Sequence, residues 1–301
     1  MIGRILDEKS LQIVKREFDK CKKNTPFKHY KITDPISYAG DSIVYKVECL
    51  WSRTNYALCI MEDFGKSSTM QGIQTVKSLI EQNQIHVVDY LMDFSVDTLQ
   101  GKKYCVLIPM LTSLSEYEKT SDNITIDNVE IAVRVGNDLL PLLQFCLDRP
   151  EGVLIHYDIK PQNVFFDKNF RNGKGLMLSG FELGAGLNEL APIGTVLTVS
   201  PEIANMDFDL VRNFYLCDMY SLGIVMYYYL NGREYPFEND YDKRMATKGA
   251  LPEPRYGSKQ LKTLVVKATQ YYPKDRFASP NDMLRELQQC EEYREFINPK
   301  A

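Results

Sequence analysis

The chemically richest stretch of the 301-residue chain is the loop His156-Tyr157-Asp158-Ile159-Lys160-Pro161-Gln162-Asn163. It brings an imidazole, a carboxylate, an ammonium group and an amide close together in sequence. Groups of these types accept protons, carry positive charge and offer metal ligands. A polar turn between a helix and a strand would use the same residue types. The motifs on either side therefore decide which chemistry is expected here.

The loop resembles the catalytic loop of protein kinases, where His-Arg-Asp is followed by an Asn five residues after the Asp. The resemblance implies that Asp158 accepts the proton of a substrate hydroxyl, that Lys160 lies beside the transferring phosphate, and that Asn163 holds a magnesium ion. Tyr157 replaces the Arg of the motif. Because that Arg is the usual partner of a phosphorylated activation segment, control by phosphorylation is weakened.

Further kinase motifs follow in the family's order. Val199-Ser200-Pro201-Glu202 resembles the Ala-Pro-Glu end of the activation segment, and Arg276 resembles the late Arg that pairs with its Glu. The run Asp218-Met219-Tyr220-Ser221-Leu222-Gly223 resembles the buried start of the next long helix. The residues of these motifs are most similar to those of bacterial serine/threonine kinases.

The resemblance implies an α+β, bilobal protein kinase-like fold. A small N-terminal lobe with an antiparallel sheet is expected beside a larger, mainly helical C-terminal lobe. The expected boundaries are a helical extension at residues 1–27, the N-lobe at 28–108 and the C-lobe at 109–301.

The hydrophobic pattern predicts the elements that position these motifs. Residues 8–23 predict an amphipathic helix that packs on the outside of the domain, with a partner-binding helix as the alternative. Runs rich in Val, Ile and Tyr predict an antiparallel meander of three strands. These runs are residues 30–37, 43–50 and 56–61. Residues 127–147 predict the central helix before the loop, with a kink or an offset start at Pro141.

The first hairpin lines up with the kinase glycine-rich loop, Gly-x-Gly-x-x-Gly-x-Val. Ser37, Ala39 and Ser42 stand where the three glycines belong, and only Val44 matches. Glycine is used there because a backbone without Cβ can approach phosphate oxygens and adopt positive φ. Gly40-Asp41 is typical of an ordinary hairpin turn. A compact loop without a phosphate cradle is therefore expected.

Other nucleotide-handling positions are also changed. Cys59 stands in the place of the strand-three Lys, and we interpret it as a small buried hydrophobe. The Glu that would pair with that Lys falls near Thr75, beside Gln74. In Gly180-Phe181-Glu182, which corresponds to Asp-Phe-Gly, Gly180 replaces the carboxylate that holds magnesium. Glu182 and Asn163 are the weak metal candidates that remain.

These losses predict a pseudokinase. Each lost charge leaves a triphosphate less neutralised, so weak or absent binding of magnesium ATP is expected, and no cofactor. Asp158, Lys160 and Asn163 then form a retained loop without activity. Such a protein would act as a scaffold or an allosteric regulator of a protein partner that the sequence does not identify.

An atypical serine/threonine kinase, or another nucleotide-dependent transferase, is the alternative. With-no-lysine kinases also have Cys at the strand-three position and supply the lysine from the preceding strand, where this chain has Lys46. Strand alternation places Lys46 and Val44 on one face. In that family, however, the substitute lysine stands at the place of Ser42. A module that binds a metabolite or peptide in the interlobe cleft is a third interpretation, compatible with the first.

Composition excludes several classes of protein. A formal net charge of −4 without a dense basic run gives no footprint for nucleic acid. The seven cysteines are scattered and never in Cys-x-x-Cys spacing, which favours reduced thiols and a cytoplasmic location. The N-terminal residues are too charged for a signal peptide, and no run approaches the ~20 apolar residues of a membrane span.

Overall fold

The computed structural model divides the chain into two compact units. Met1–Asn83 and Val87–Leu111 form the N-terminal unit, and Gln84–His86 and Thr112–Ala301 form the C-terminal unit. The structure describes residues 6–39, 42–52, 54–62, 68–120, 128–166, 175–181, 197–205, 207, 215–237, 248 and 251–297. The turn at Gly40-Asp41 lies outside these residues.

The described part of the N-terminal unit contains one five-stranded antiparallel sheet in the order β1-β2-β3-β5-β4. Its strands are β1 (Tyr30–Ala39), β2 (Ser42–Cys49), β3 (Asn55–Glu62), β4 (Met92–Thr98) and β5 (Gly101–Pro109). The predicted three-strand meander is confirmed. Pro35 lies between two register irregularities of the edge strand β1, where a missing N–H costs little.

The helix α1 (Glu8–Cys21) covers one face of this sheet. Asp7 caps its first turn by accepting a hydrogen bond from the N–H of Ser10 at 2.6 Å. Val14 and Phe18 are buried among strand residues, and the rings of Phe18 and Phe94 lie 6.3 Å apart. The predicted amphipathic helix is thus confirmed: it packs on the outside of the sheet, with its apolar side in the core and its polar side exposed.

A second helix, α2 (Ser68–Glu81), packs on a separate cluster of the N-terminal unit. Ile73 of α2 is buried against Tyr104 and Val106 of β5. On the opposite face of the sheet, Tyr45 and Val47 of β2 are buried in the cluster that contains Val14 and Phe18 of α1. Because strand side chains alternate, α1 and α2 contact opposite faces of the sheet.

The C-terminal unit is mainly helical. Its described helices are α3 (Leu114–Thr120), α4 (Asn128–Leu147), α5 (Pro201–Ala204), α6 (Tyr215–Leu230), α7 (Lys259–Ala268), α8 (Pro280–Leu287) and α9 (Glu291–Ile297). The buried helices α4 and α6 pack against each other, with α8 against α4 and α7 against α6. The apolar core is therefore built around α4 and α6.

The helix α4 confirms the predicted central helix and runs through Pro141. Pro141 has no N–H to donate to the carbonyl of Asn137, which weakens the helix locally. Its buried neighbours Leu140 and Leu142 pack in the core on both sides of it. An offset start at Pro141 is therefore wrong: packing overrides the local penalty.

A small sheet, β6 (Thr112–Ser113), β7 (Val164–Phe166) and β8 (Met177–Leu178), follows the order β6-β7-β8. The loop between α4 and β7 carries the kinase-like residues. Beyond β7, the N–H of Leu176 donates to Oδ2 of Asp138 on α4 at 2.8 Å. The loop that carries the kinase-like residues thus begins at the end of α4 and ends at β7, and Asp138 of α4 also binds the segment that leads into β8.

The predicted pair of Arg276 and Glu202 is confirmed as a buried, bidentate ion pair. Nη1 and Nη2 of Arg276 each donate to one carboxylate oxygen of Glu202 at 2.7 Å. The same guanidinium also donates to the carbonyls of Leu216, Gln270 and Tyr271. Both charges thus have hydrogen-bond partners inside the C-terminal unit.

None of the helices in the described ranges combines the length and apolar character that crossing a membrane requires.

Candidate active site

The loop between α4 and β7 gathers Asp158, Lys160 and Asn163 into one cluster. Nζ of Lys160 lies 2.6 Å from Oδ2 of Asp158. Nδ2 of Asn163 donates to the same oxygen at 3.1 Å and to the Asp158 carbonyl at 2.8 Å. The structure therefore brings the three sequence-predicted residues together, with an ammonium group and an amide directed at the carboxylate.

His156 is fully buried and holds the start of this loop. Its Nδ1 accepts a hydrogen bond from the N–H of Asp158 at 3.2 Å, so the proton belongs on Nε2, which lies 2.7 Å from the carbonyl oxygen of Ser179. The ring also packs edge-on against Phe181, with centroids 4.7 Å apart. His156 thus ties the loop to the segment after β8.

Asp218, in the first turn of α6, holds the backbone of the same loop. Its two carboxylate oxygens accept hydrogen bonds from the N–H groups of His156 at 2.7 Å and Tyr157 at 2.8 Å. Both donors are needed because Asp218 is buried, and a buried carboxylate without partners is strongly destabilising.

Tyr157 occupies a strained backbone position, with φ of +67°. The bond from its N–H to Asp218 helps hold that conformation. Its side chain is buried in an apolar cluster with Val199, Ile203 and Cys217. Where kinases place an Arg for phosphate, this chain therefore places an aromatic side chain that packs the loop onto its neighbours.

Two buried groups of this anchor titrate in opposite senses. Burial lowers the pKa of His156 from 6.5 to about 4, so its contribution to stability is complete above pH 6.5 and is lost as pH falls towards 4. Burial raises the pKa of Asp218 from 3.8 to about 7, against the effect of its two amide donors. The folded state binds the proton of the Asp218 carboxyl more tightly than the unfolded state does. The contribution of Asp218 to the free energy of unfolding therefore grows as pH falls from 7 to 3.8. The two effects largely cancel.

We expect Asp218→Asn to uncover the titration of His156. The free energy of unfolding of this variant should fall by about 3 kcal/mol more than that of the wild type between pH 7 and pH 4. Urea denaturation at a series of pH values, followed by far-UV circular dichroism, measures this slope. The double variant Asp218→Asn/His156→Gln should lose the extra slope. An Asp218→Asn slope equal to that of the wild type would contradict the opposed titrations.

Gly180 lies beside this cluster in a conformation that suits glycine. Its φ is +91°, and a Cβ added to it would lie 3.2 Å from Nδ2 of Asn163 and 3.5 Å from Cε1 of His156. Side chains are strained in this backbone region whatever the space available. Gly180 therefore offers no side chain to a metal ion, and a side chain placed there would be strained.

Glu182, the other weak metal candidate, lies outside the described residues. Asn163 uses its amide nitrogen on Asp158. Across the described ranges, no three His, Cys, Asp or Glu side chains are grouped so as to hold a metal ion.

The changed positions of the N-terminal unit lie on neighbouring strands. Ala39 pairs with Ser42, and Ser37 pairs with Val44, across β1 and β2. Val44 in turn pairs with Cys59 of β3. Directly paired residues share a face of the sheet, so Ser37, Val44 and Cys59 form one row. This row is made of small and apolar side chains and contains no cation.

Lys46 lies on the same face of β2 as Val44, two residues further along. Its Nζ lies 2.5 Å from Oε1 of Glu48, which also lies on that face. Its cross-strand neighbour is Ala57, two residues before Cys59. On α2, the positions where a Glu partner would stand hold the exposed Gln74 and the half-buried Thr75. The cation nearest to Cys59 on β2 therefore already has a carboxylate beside it.

Comparison with known proteins identifies the family. The model of the protein kinase domain matches residues 40–288, which is most of the chain. The chain belongs to the protein kinase domain family.

Curated relatives of this kinase domain are similar at low identity. It is 29% identical to the serine/threonine-protein kinase PknA of Nostoc over 53% of this chain and 28% of that protein. A protein of Clostridium perfringens named as a probable serine/threonine-protein kinase is 24% identical, over 86% of this chain and 38% of its own length. The serine/threonine-protein kinase PknB of Mycolicibacterium smegmatis is 31% identical, over 44% of this chain and 22% of its own length. The matched regions thus cover less than two fifths of these relatives.

The predicted α+β class, with a sheet-bearing unit and a larger helical unit, is confirmed for this kinase domain. Sequence reasoning did not assign the contacts that hold its loop, made by Asp218 and by the carbonyl of Ser179. Asp218 carried a signal that could have been used. It is a charged residue at the head of an otherwise apolar helix, and such a residue needs buried partners.

Proposed function

We propose that this kinase domain is a pseudokinase, which acts by binding a protein partner as a scaffold or allosteric regulator. The main support is Gly180. In kinases this position supplies the carboxylate that holds magnesium between the phosphates. Here it is a glycine at positive φ, with Asn163 within contact distance of any added side chain.

The N-terminal unit supports the same proposal. Phosphoryl transfer depends on positioning and on electrostatic stabilisation of the phosphates. The row of Ser37, Val44 and Cys59 offers neither glycines nor a cation. Lys46 would have to leave the carboxylate of Glu48 before it could serve a nucleotide.

The retained loop has a structural role in this proposal. Asp158, Lys160 and Asn163 satisfy one another, and Asp218 anchors the backbone before them. Removing one of them would leave a partly buried polar group without its partner, so these residues can persist without chemistry. The seven cysteines are free thiols, which fits the cytoplasmic location that we propose.

A thermal-shift titration with ATP and GTP, with and without Mg²⁺ or Mn²⁺, tests the proposal. We expect no metal-dependent rise in melting temperature, because a ligand that does not bind the folded state cannot stabilise it. Transfer of labelled γ-phosphate to a generic protein substrate should also be absent.

The active-enzyme alternative makes the opposite prediction. A metal-dependent stabilisation of several degrees that Lys46→Ala abolishes would overturn the pseudokinase proposal. Lys9→Ala, an exposed lysine of α1, is the matched control and should keep any such shift. Asp158→Ala should then abolish transfer of phosphate while leaving nucleotide binding measurable.

A further inference from the structure

Two apolar side chains protrude from the turn between β2 and β3. Leu50 is 56% exposed and Trp51 is 76% exposed. The exposed lysines Lys23 and Lys28 belong to the segment that leads into β1. We call Lys23, Lys28, His29, Leu50 and Trp51 the basic tip of the N-terminal unit.

A backbone hydrogen bond and ring contacts fix the conformation of the basic tip. The N–H of Leu50 donates to the carbonyl of His29 at 2.8 Å. The ring of Trp51 stacks on the ring of His29, with centroids 3.6 Å apart and 32° between the planes. Behind them, Phe27 and Tyr56 meet edge to face at 5.2 Å. Trp51 is therefore presented in a defined position despite its exposure.

The charge around the basic tip differs from that of the chain. Residues 20–33 and 49–61 hold six Lys and Arg and no Asp or Glu, whereas the whole chain has 36 Lys and Arg against 40 Asp and Glu. Lys20 and Lys22 pair with Glu17 and Asp19 of α1, whereas Lys23 and Lys28 are exposed. The two stretches meet because Tyr30 pairs with Cys49. Neither stretch is a dense basic run by itself, so the patch exists only in the fold.

We propose that the basic tip docks onto the surface of an anionic lipid bilayer. Trp is the residue type that settles at the headgroup level, and Leu beside it would reach the acyl boundary. Lysines around them are attracted to anionic headgroups, and this attraction is screened by salt. A protruding turn suits a deformable bilayer better than a protein partner, which would need a matching cavity. The proposal does not depend on the pseudokinase assignment.

The experiment uses Trp51 itself as the probe, because it is the only Trp of the chain. The whole protein is titrated with vesicles of phosphatidylcholine alone and of phosphatidylcholine mixed with phosphatidylglycerol. We expect a blue shift of Trp fluorescence, and quenching by brominated acyl chains, with the anionic vesicles only. Co-sedimentation gives the partition constant for variants that lack Trp51.

The variants separate charge from apolar insertion. Lys23→Gln/Lys28→Gln should weaken partitioning about 25-fold at low ionic strength, roughly fivefold for each lysine. Trp51→Ala should weaken it about tenfold. The matched controls are Leu99→Ala, whose 69% exposed side chain lies on the turn between β4 and β5, and Lys9→Gln on α1. Both controls should bind vesicles like the wild type.

Three outcomes would overturn the proposal. One is binding to neutral vesicles as strong as to anionic ones. Another is the absence of vesicle binding at low ionic strength. The third is tighter binding of the basic tip to single-stranded RNA than to anionic vesicles, with Trp51 fluorescence quenched by the RNA, which would identify a nucleic-acid site instead.

Discussion

Gly180→Asp is expected to destabilise the C-terminal unit by about 2 kcal/mol, although it restores the residue that kinases use at this position. The cost arises because a side chain at φ of +91° is strained and because its Cβ would press on Asn163. The variant should also show no metal-dependent stabilisation by ATP. Urea denaturation followed by far-UV circular dichroism measures the first effect, and the thermal-shift titration measures the second.

Gly101→Asp is the matched control for backbone strain. Gly101 has φ of +89°, and an added Cβ would have no atom within 4 Å. Its cost is therefore strain alone, and we expect it to be smaller than that of Gly180→Asp. If Gly180→Asp were as stable as the wild type and gained magnesium-dependent stabilisation by ATP, the nucleotide site would be one substitution from function, and the structural argument for a pseudokinase would fail.

Arg276→Met is expected to lower the free energy of unfolding by about 3–5 kcal/mol. It removes the guanidinium but leaves the carboxylate of Glu202 buried without its partner. Three backbone carbonyls lose a donor at the same time. Because α5 and the start of α6 both depend on this cation, the transition measured by far-UV circular dichroism should move to lower urea concentration.

A second variant and a surface control isolate the buried charge. The double variant Arg276→Met/Glu202→Gln should recover part of the loss, because no carboxylate is then stranded. Arg285→Met removes an Arg that pairs with Asp282 on the exposed side of α8, and it should cost less than about 1 kcal/mol. Equal losses for Arg276→Met and Arg285→Met would show that burial of the pair has no energetic consequence.

The sequence sufficed for those parts of the fold that depend on local pattern. Runs rich in Val, Ile and Tyr located β1, β2 and β3, and the long apolar run located α4. The pairing of Arg276 with Glu202 came from the spacing of family motifs rather than from periodicity. In each case the signal is carried either by neighbouring residues or by a motif that already has a known partner.

The sequence did not suffice where a backbone conformation or a distant contact decides the outcome. Gly180 could be seen to replace a carboxylate, but its positive φ depends on the surrounding structure. Likewise, Tyr157 was interpreted as a lost Arg, whereas its burial against Val199 and Ile203 becomes visible only in the fold. The amphipathic pattern of α1 likewise showed which side of the helix is buried, but not that the five-stranded sheet buries it.

The helix α1 separates two definitions of a domain. The family match begins at residue 40, after α1 and the described residues of β1. Yet Val14 and Phe18 lie in the same core as Tyr45 and Val47. A fragment cut at the family boundary would expose that apolar face to water and would lack an edge strand. The segment that matches the family is therefore shorter than the segment that must fold together, and residues 6–39 belong to the folding unit although they lie outside the family match.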